Sequence, residues 1–299
     1  MDVYPVSESG ALLSHDERIG GSPFNVAIGV ARLGLPVAYF GSISRDAFGA
    51  QLLAALEREG VDTIAVQRTD APTTLSIVGV DADGSPTYTF QGERGADRQL
   101  LLDSISQIPP SIEAVHVGSY AMVVDHVAST LRALVERRQQ SAFIAWDPNV
   151  RLNVVPEPQR WRDVLDWMLG RTHLLKLSAE DLGVLAPDVA AADFAVRALS
   201  RGVGLVVLTE GMRGATAWST AGTVHVPSVA IDVIDTVGAG DAFQAALLAW
   251  LTERGLLTRD GVGSLGSEQS EAMLRFATSA AAMTCERRGA VLPKRDELP

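Results

Sequence analysis

Short apolar runs alternate with helical patterns along most of this 299-residue chain. Near-continuous apolar runs are typical of strands that are covered on both faces, and helices between such strands supply the crossovers that a parallel sheet requires. The alternation therefore predicts an α/β fold with a mostly parallel central sheet. The predicted strands are VAYFGSI (37–43), AVHVGSY (114–120), AFIAWDPN (142–149), HLLKLS (173–178) and GLVVLTEG (204–211), and the clearest helices span 123–138 and 191–201.

Polar and glycine residues follow the bodies of these predicted strands. Ligands of open parallel sheets bind outside the carboxyl ends of the strands. We therefore expect a binding site where these segments meet. They are Gly118-Ser119, Asp147 to Arg151, Lys176 to Ser178 and Thr209 to Gly211.

The overall charge and the single cysteine limit the classes of function. The formal net charge is −11 and no basic tract offsets it, which argues against a nucleic-acid partner. Cys285 has no second cysteine to pair with, and the histidines have no zinc-ligand spacing. The chain shows neither a signal-peptide pattern nor a membrane-spanning apolar run. We expect a cytoplasmic protein without a membrane or nucleic-acid partner.

The segment DVIDTVGAGDAFQAALLAWL (232–251) breaks a strand-like run at two glycines and then continues as an apolar helix. Gly238 and Gly240 let backbone N–H groups approach an anion at the start of that helix. Asp241 would then accept a proton from a hydroxyl that attacks a bound phosphoryl group. The alternative is a glycine-rich turn whose aspartate caps the helix.

A second segment, IGGSPFNVAIGVARLG (19–34), places Gly20 and Gly21 just before another helix. The paired glycines allow close approach of the backbone to a ligand, and the Asn25 amide can both donate to and accept from sugar hydroxyls.

The segment 73–90 has two β-rich arms around Asp83-Gly84, which indicates a hairpin. With residues 2–19 it predicts a small sheet beside the main domain, placed to close over the site. The alternative is an edge extension of the main sheet.

Two nucleotide-binding motifs are excluded by context or absence. The formal G-x-G-x-x-G at 261–266 follows a helical pattern rather than a strand, and the chain contains no G-x-x-x-x-G-K-[ST].

The two glycine segments lie 216 residues apart, counted from Asn25 to Asp241, and together resemble the two signatures of the ribokinase-like (PfkB) carbohydrate kinases. The likeness extends through most of the chain. The further similar segments are GSISRDAFG (41–49), DPNVR (147–151), LTEGMRGA (208–215) and AAAMTCERRGAVLP (280–293). The resemblance implies a three-layer αβα, Rossmann-like fold forming one kinase domain over 1–299, with lid segments near 2–19 and 73–90.

The resemblance also implies roles for individual residues and a need for ATP and Mg²⁺, with K⁺ as a further cation. Asp241 is the expected base, beside an anion hole formed by Gly238, Ala239 and Gly240. The expected substrate contacts are Asp2, Gly20, Gly21, Asn25, Arg94 and Arg151. The expected nucleotide contacts are Lys176, Ser178, Thr209, Gly211, Gly214 and Cys285. The expected metal contacts are Glu180 and Asp181 for Mg²⁺, in part through water, and Asp235 for a monovalent cation. A homodimer formed through the lid is the expected assembly.

Three features depart from the family pattern, the first of which is Ser44 in SISRD, where glycine is usual before Asp46. Members of the family begin with a buried strand ahead of the aspartate that Asp2 resembles, and we expect a start codon assigned too late rather than loss of the strand. The family's Asn-x-x-Glu motif reads Ser178-Ala-Glu-Asp181, in which Asp181 reaches one methylene less than glutamate.

The leading hypothesis is an ATP-dependent kinase that converts D-fructose to fructose 6-phosphate, because DPNVR, KLSAED and TCERRGA resemble fructokinase segments. A 2-keto-3-deoxygluconate kinase is the nearest alternative, with Arg94 or Arg151 facing the carboxylate of that acid. Other sugar kinases and a non-catalytic sugar- or nucleotide-binding regulator stay open.

Overall fold

The computed structural model describes the backbone of residues 1–6, 14–80 and 86–299. It describes the side chains of the same residues, except for those of residues 2–17 and 77–89. The strands are β1 Asp2–Val6, β2 Ser14–Arg18, β3 Gly41–Ser44, β4 Val66–Thr69, β5 Leu75–Val80, β6 Pro86–Gln91, β7 Ala114–Gly118, β8 Phe143–Asp147, β9 Leu174–Ser178, β10 Leu205–Thr209, β11 Ala215–Ser219 and β12 Gly222–Val226. The helices are α1 Ser22–Arg32, α2 Ala47–Arg58, α3 Val127–Arg138, α4 Pro158–Leu169, α5 Ala179–Leu185, α6 Ala191–Ser200, α7 Ala239–Glu253, α8 Arg259–Gly263 and α9 Ser267–Cys285.

The main sheet has six strands in the order β12-β11-β10-β9-β8-β7. The four strands from β7 to β10 are parallel, while β11 and β12 extend the sheet as antiparallel strands. Apolar residues of α3, α4 and α6 cover one face of the sheet, and those of α1, α7 and α9 cover the other. The prediction of a three-layer α/β fold with a mostly parallel sheet is confirmed.

Helix α7 lies at the centre of the second helical layer. Its residues from Asp241 to Leu251 are all buried, because the helix packs between the sheet, α1 and α9. Because residues 242–251 are mostly apolar, the helix packs against these neighbours on several sides. A helix held in this way fixes the position of its first turn, where Asp241 lies.

A separate sheet of four strands has the order β2-β1-β5-β6. The two arms expected from the sequence, β5 and β6, pair antiparallel, and β1 pairs parallel with β5 and antiparallel with β2. The predicted turn residues Asp83-Gly84 lie outside the described residues. The described strands belong to this small sheet rather than to an edge extension of the main one. Phe90 of β6 contacts Tyr120, with ring centroids 6.2 Å apart.

Strand β3 differs from the expectation of one continuous sheet. Within the described ranges it pairs with β4 alone, in parallel, and these two strands form a sheet of their own. At one edge of the main sheet lies β7, which pairs with β8 alone in the same ranges. Residues of both β3 and β7 line the same cavity, and buried Met1 lines it with them.

The G-x-G-x-x-G segment lies within and after α8, and it follows α7 rather than a strand. None of the helices in the described part of the chain is long and apolar enough to cross a membrane.

Candidate active site

A cavity of about 910 Å³ lies where the carboxyl ends of β8, β9 and β10 meet the first turns of α1 and α7. It brings together most of the site residues predicted from the sequence, although they come from segments far apart in the chain. The predicted residues that line it are Gly20, Gly21, Asn25, Arg151, Lys176, Ser178, Glu180, Asp181, Thr209, Gly211, Gly214, Gly238, Ala239, Gly240, Asp241 and Cys285.

Asp241 is buried at the start of α7, and its two carboxylate oxygens accept hydrogen bonds from α1. Ser22 Oγ donates to Oδ1 at 2.6 Å, and Asn25 Nδ2 donates to Oδ2 at 2.8 Å. Burial raises the pKa of Asp241 to about 6, while the bonds from Ser22 and Asn25 work in the opposite direction. A carboxylate of this kind is mostly ionised at pH 7 and is basic enough to accept a proton from a hydroxyl group.

The backbone before Asp241 is the segment in which the glycines predicted an anion site. Gly238 caps α7 in the left-handed region with φ 83°, and a Cβ atom there would lie 2.7 Å from the Cβ of Ala290. Glycine is therefore required by both conformation and space. The first N–H groups of α7 have no partner within the helix and lie at the positive end of its dipole. One of them, Ala239 N, donates to Thr236 O at 3.2 Å in the turn before the helix.

Ser22 and Asp147 line the site, although the sequence analysis assigned neither of them a role of its own. Ser22 is the second polar residue that α1 directs at Asp241, three positions before Asn25 and therefore on the same helix face. Asp147 accepts a hydrogen bond from Lys176 at 2.8 Å. The sequence signal for Asp147 was its position at the carboxyl end of a predicted strand.

Asp181 is occupied by backbone donors. Its Oδ2 accepts from Ser178 N at 3.0 Å and its Oδ1 accepts from Val150 N at 2.7 Å, while Ser178 Oγ accepts from Asp181 N in return. This capping box fixes the start of α5. Burial and the neighbouring Asp147 raise the pKa of the Asp181 carboxyl. Glu180 is exposed and also lines the cavity.

The predicted substrate cations have different positions. Arg151 lines the cavity and donates to Val150 O at 2.9 Å. Arg94 is exposed and lies outside the cavity lining, because it is carried on the surface turn that follows β6. The expectation that Arg94 contacts the substrate is thus not supported by this structure. The side chain of Asp2 lies outside the described residues, and its backbone pairs with Arg18 and Ser76.

Asp235 joins two loops beside the start of α7. Its Oδ1 accepts from Val237 N at 3.0 Å and its Oδ2 accepts from Gly289 N at 2.8 Å. Burial raises the pKa of the nearby Cys285 thiol, and Asp235 adds to that shift. The described residues contain no group of three or more His, Cys, Asp or Glu that could hold a metal ion without further ligands.

His116 lies half-buried on the cavity wall, at the middle of β7. Burial lowers its pKa to about 4, and the charge of Lys176 acts in the same direction. Its imidazole is therefore neutral at pH 7.

The sequence and the fold are both similar to those of known carbohydrate kinases. The sequence profile of the pfkB family carbohydrate kinases matches residues 5–297. A fructokinase of Rhizobium leguminosarum bv. trifolii is 34% identical over 249 residues, which are 83% of this chain and 76% of that protein. The crystal structure of a Vibrio cholerae O395 fructokinase with fructose, ADP and calcium ion bound has a TM-score of 0.80 at 28% identity, covering 97% of this chain and 91% of that one. The fructokinase of Xylella fastidiosa with bound ATP has a TM-score of 0.84 at 26% identity, covering 99% and 93%.

Proposed function

Because the chain belongs to the pfkB family of carbohydrate kinases, we propose that it transfers the γ-phosphoryl group of ATP to the 6-hydroxyl of D-fructose. The observation that carries this proposal is the buried Asp241 carboxylate at the start of α7, beside N–H groups suited to a phosphoryl anion. Similarity to fructokinases, one of them described with fructose and ADP bound, supports fructose as the acceptor.

The proposed step needs one base and one anion site. The hydroxyl oxygen of the sugar forms a bond to the γ-phosphorus as the bond from that phosphorus to the β-phosphate oxygen breaks, and ADP leaves with that oxygen. The hydroxyl proton passes to Asp241. N–H groups at Gly238, Ala239 and Gly240 offset the negative charge of the transferred group.

The carboxylate groups of the site indicate where cations would bind. Mg²⁺ commonly binds through one or two carboxylates together with substrate phosphates. Glu180 fits such a role from the cavity wall, whereas Asp181 already accepts two backbone hydrogen bonds and would act through water. Bound Mg²⁺ would offset phosphate charge. The assignment of K⁺ to Asp235 stays a prediction. Both carboxylate oxygens of Asp235 already accept hydrogen bonds from backbone N–H groups.

The small sheet is proposed as a lid over the sugar, in one domain that spans residues 1–299. Phe90 of the small sheet and Tyr120 of the main domain both line the cavity and contact one another, which supports this role. Exclusion of water by such a lid would favour transfer to sugar over hydrolysis of ATP. We further propose a homodimer formed through this sheet and a cytoplasmic setting.

A 2-keto-3-deoxygluconate kinase is the second candidate, because Arg151 lies on the cavity wall and would suit a carboxylate. The deciding experiment is an assay of sugar-dependent ADP release with fructose, 2-keto-3-deoxygluconate, ribose, glucose and nucleosides. We expect the highest kcat/KM with fructose and fructose 6-phosphate as the product. A higher value with the sugar acid would favour the second candidate, and binding of sugar and ATP without ADP release would indicate a regulator.

A further inference from the structure

Asp147 and Lys176 form a buried ion pair at the carboxyl ends of two neighbouring strands. Trp146 of β8 is paired with Leu175 of β9, so the next residues on the two parallel strands are also neighbours. Lys176 Nζ donates to Asp147 Oδ2 at 2.8 Å, and the side chains are only 5% and 1% exposed. A buried charge pair of this kind is costly to desolvate, so a role beyond stability has to be considered.

The face of the sheet on which the pair lies is the face that carries the catalytic helix. Side chains alternate between faces along a strand, and Ala145 and Leu174 belong to the apolar cluster that includes α7. Asp147 and Lys176, two positions further on, therefore point to the same side. A Cβ atom built on Gly240 would lie 3.1 Å from Lys176 Nζ. The ammonium group thus lies against the first turn of α7.

An ammonium group is unfavourable at the amino end of a helix, because both carry positive charge. The carboxylates of Asp147, Asp181 and Asp241 offset it, and each of them interacts electrostatically with Lys176. Burial alone would lower the pKa of Lys176, but the charge and hydrogen bond of Asp147 raise it above its ordinary value. Lys176 is therefore a protonated cation in this site.

Asp147 is the hydrogen-bond acceptor for Lys176 among the described residues, and it engages one of the three N–H groups of the ammonium. Lys176 also lines the cavity. The remaining donors are available to an anion beside the N–H groups of α7, where the proposed function puts the transferred phosphoryl group.

We propose that Asp147 is a positioning residue, which holds the Lys176 ammonium beside Gly240 so that this ammonium contacts the transferred phosphoryl group. The inference rests on the proposed function. Lys176 keeps its proton throughout, since Asp241 accepts the proton of the sugar hydroxyl. Asp147 acts on the reaction only through Lys176.

If the Asp147–Lys176 pair only joined β8 to β9, the effects of substitution would differ from those of a phosphoryl contact. Removal of either partner would then lower stability, with a loss of activity that follows the loss of folded protein. Removal of a phosphoryl contact would instead weaken ligands that carry a γ-phosphate more than ligands that lack one.

The test compares Lys176→Met, Asp147→Asn, the double variant and wild type. Binding of the ATP analogue AMP-PNP and of ADP is measured by titration calorimetry, with kcat and KM for fructose. Loss of one charge-assisted hydrogen bond corresponds to about 10–100-fold. Lys176→Met is expected to weaken AMP-PNP by that factor and ADP by less than about threefold, as one γ-phosphate contact implies. The double variant is expected to lose no more kcat than Lys176→Met.

Two further variants keep the result interpretable. Asp147→Glu retains the charge but moves the carboxylate by one methylene, and we expect lower kcat per folded molecule, with the folded fraction measured by circular dichroism. Glu59→Gln removes half of the Arg32–Glu59 pair, which lies outside the large cavity, and is expected to keep wild-type turnover.

Equal weakening of AMP-PNP and ADP, or losses that multiply in the double variant, would overturn the proposal. So would a kcat for Asp147→Glu equal to that of wild type. A wild-type protein that phosphorylates no sugar would contradict the proposed function instead, and the comparison of AMP-PNP with ADP would still test the contact with Lys176.

Discussion

Asn25 donates a hydrogen bond of 2.8 Å to the carboxylate of Asp241, although 216 residues separate the two. The sequence suggested that Asn25 binds sugar hydroxyls directly. In the structure one N–H of its amide donates to the base, which leaves the second N–H and the amide oxygen for a ligand. The bond joins the first turn of α1 to that of α7 and orients the Asp241 carboxylate.

Asp241→Asn keeps the size of the side chain but removes the proton acceptor. We expect kcat to fall by about 10²-fold or more, in line with the loss of a general base. ATP affinity should stay close to that of wild type, because the N–H groups of α7 are retained. Steady-state kinetics and nucleotide titration measure both. Asp260→Asn, at an exposed position in α8, serves as the control, and near-normal turnover of Asp241→Asn would remove this residue from the mechanism.

The pKa of Asp241, about 6, predicts an acid limit of activity. A base acts when ionised, so kcat/KM should fall tenfold per pH unit below about 6 and level off above it. Ser22→Ala removes a hydrogen bond that lowers this pKa, and the acid limb should therefore move to higher pH. The measurement is the pH profile of kcat/KM for fructose. The exposed Ser106→Ala is the control, and identical limbs in wild type and Ser22→Ala would contradict the assignment.

Much of this site was predictable because strand ends and glycine-rich helix starts are local patterns. The position of Asp241 at the start of an apolar helix followed from the segment 232–251 alone. The partners of Asp241 were not predictable from local pattern, since they depend on how α1 packs against α7. The Asp147–Lys176 pair likewise depends on the register of β8 against β9, which no short segment encodes.

The separation of β3 from the main sheet was also beyond local pattern. The run 37–43 is as apolar as the other predicted strands, but its pairing depends on which strand lies beside it. Apolar periodicity indicates that a segment is a buried strand, and it does not specify the neighbour. The same limit applies to Arg94, whose charge suggested a substrate contact although its turn carries it to the surface.

The edges of β3 and β7 predict that one added strand would stabilise the protein. Within the described ranges each of these strands pairs on one side alone, and both line the cavity that Met1 also lines, so their edges offer backbone N–H and C=O groups to an added strand. An apolar strand of about five residues, a common strand length, fused ahead of Met1 is expected to raise Tm by several degrees and to increase sugar affinity. Thermal denaturation and fructose titration check this. The control carries proline at the centre of the added strand, which cannot donate a ladder hydrogen bond. Equal Tm values for the two fusions would show that the added strand does not pair there.

The contact between Phe90 and Tyr120 predicts how the small sheet affects catalysis. Their ring centroids lie 6.2 Å apart with the planes at 70°, and both side chains line the cavity. Phe90→Ala removes this edge-to-face contact. Such aromatic pairs contribute about 0.5–1.5 kcal/mol beyond the burial of their area. If the small sheet closes over the sugar, KM for fructose should rise by about 2–10-fold, the range that this energy corresponds to. The ratio of ATP hydrolysed to fructose 6-phosphate formed should rise with it, because water then competes with the sugar. KM for ATP should change little, since the nucleotide contacts expected near Thr209 and Gly238 lie on the main domain.

Leu101→Ala, at an exposed apolar position outside the cavity lining, is the matched control. A folded Phe90→Ala protein with unchanged fructose KM and unchanged hydrolysis ratio would mean that the small sheet is not a lid.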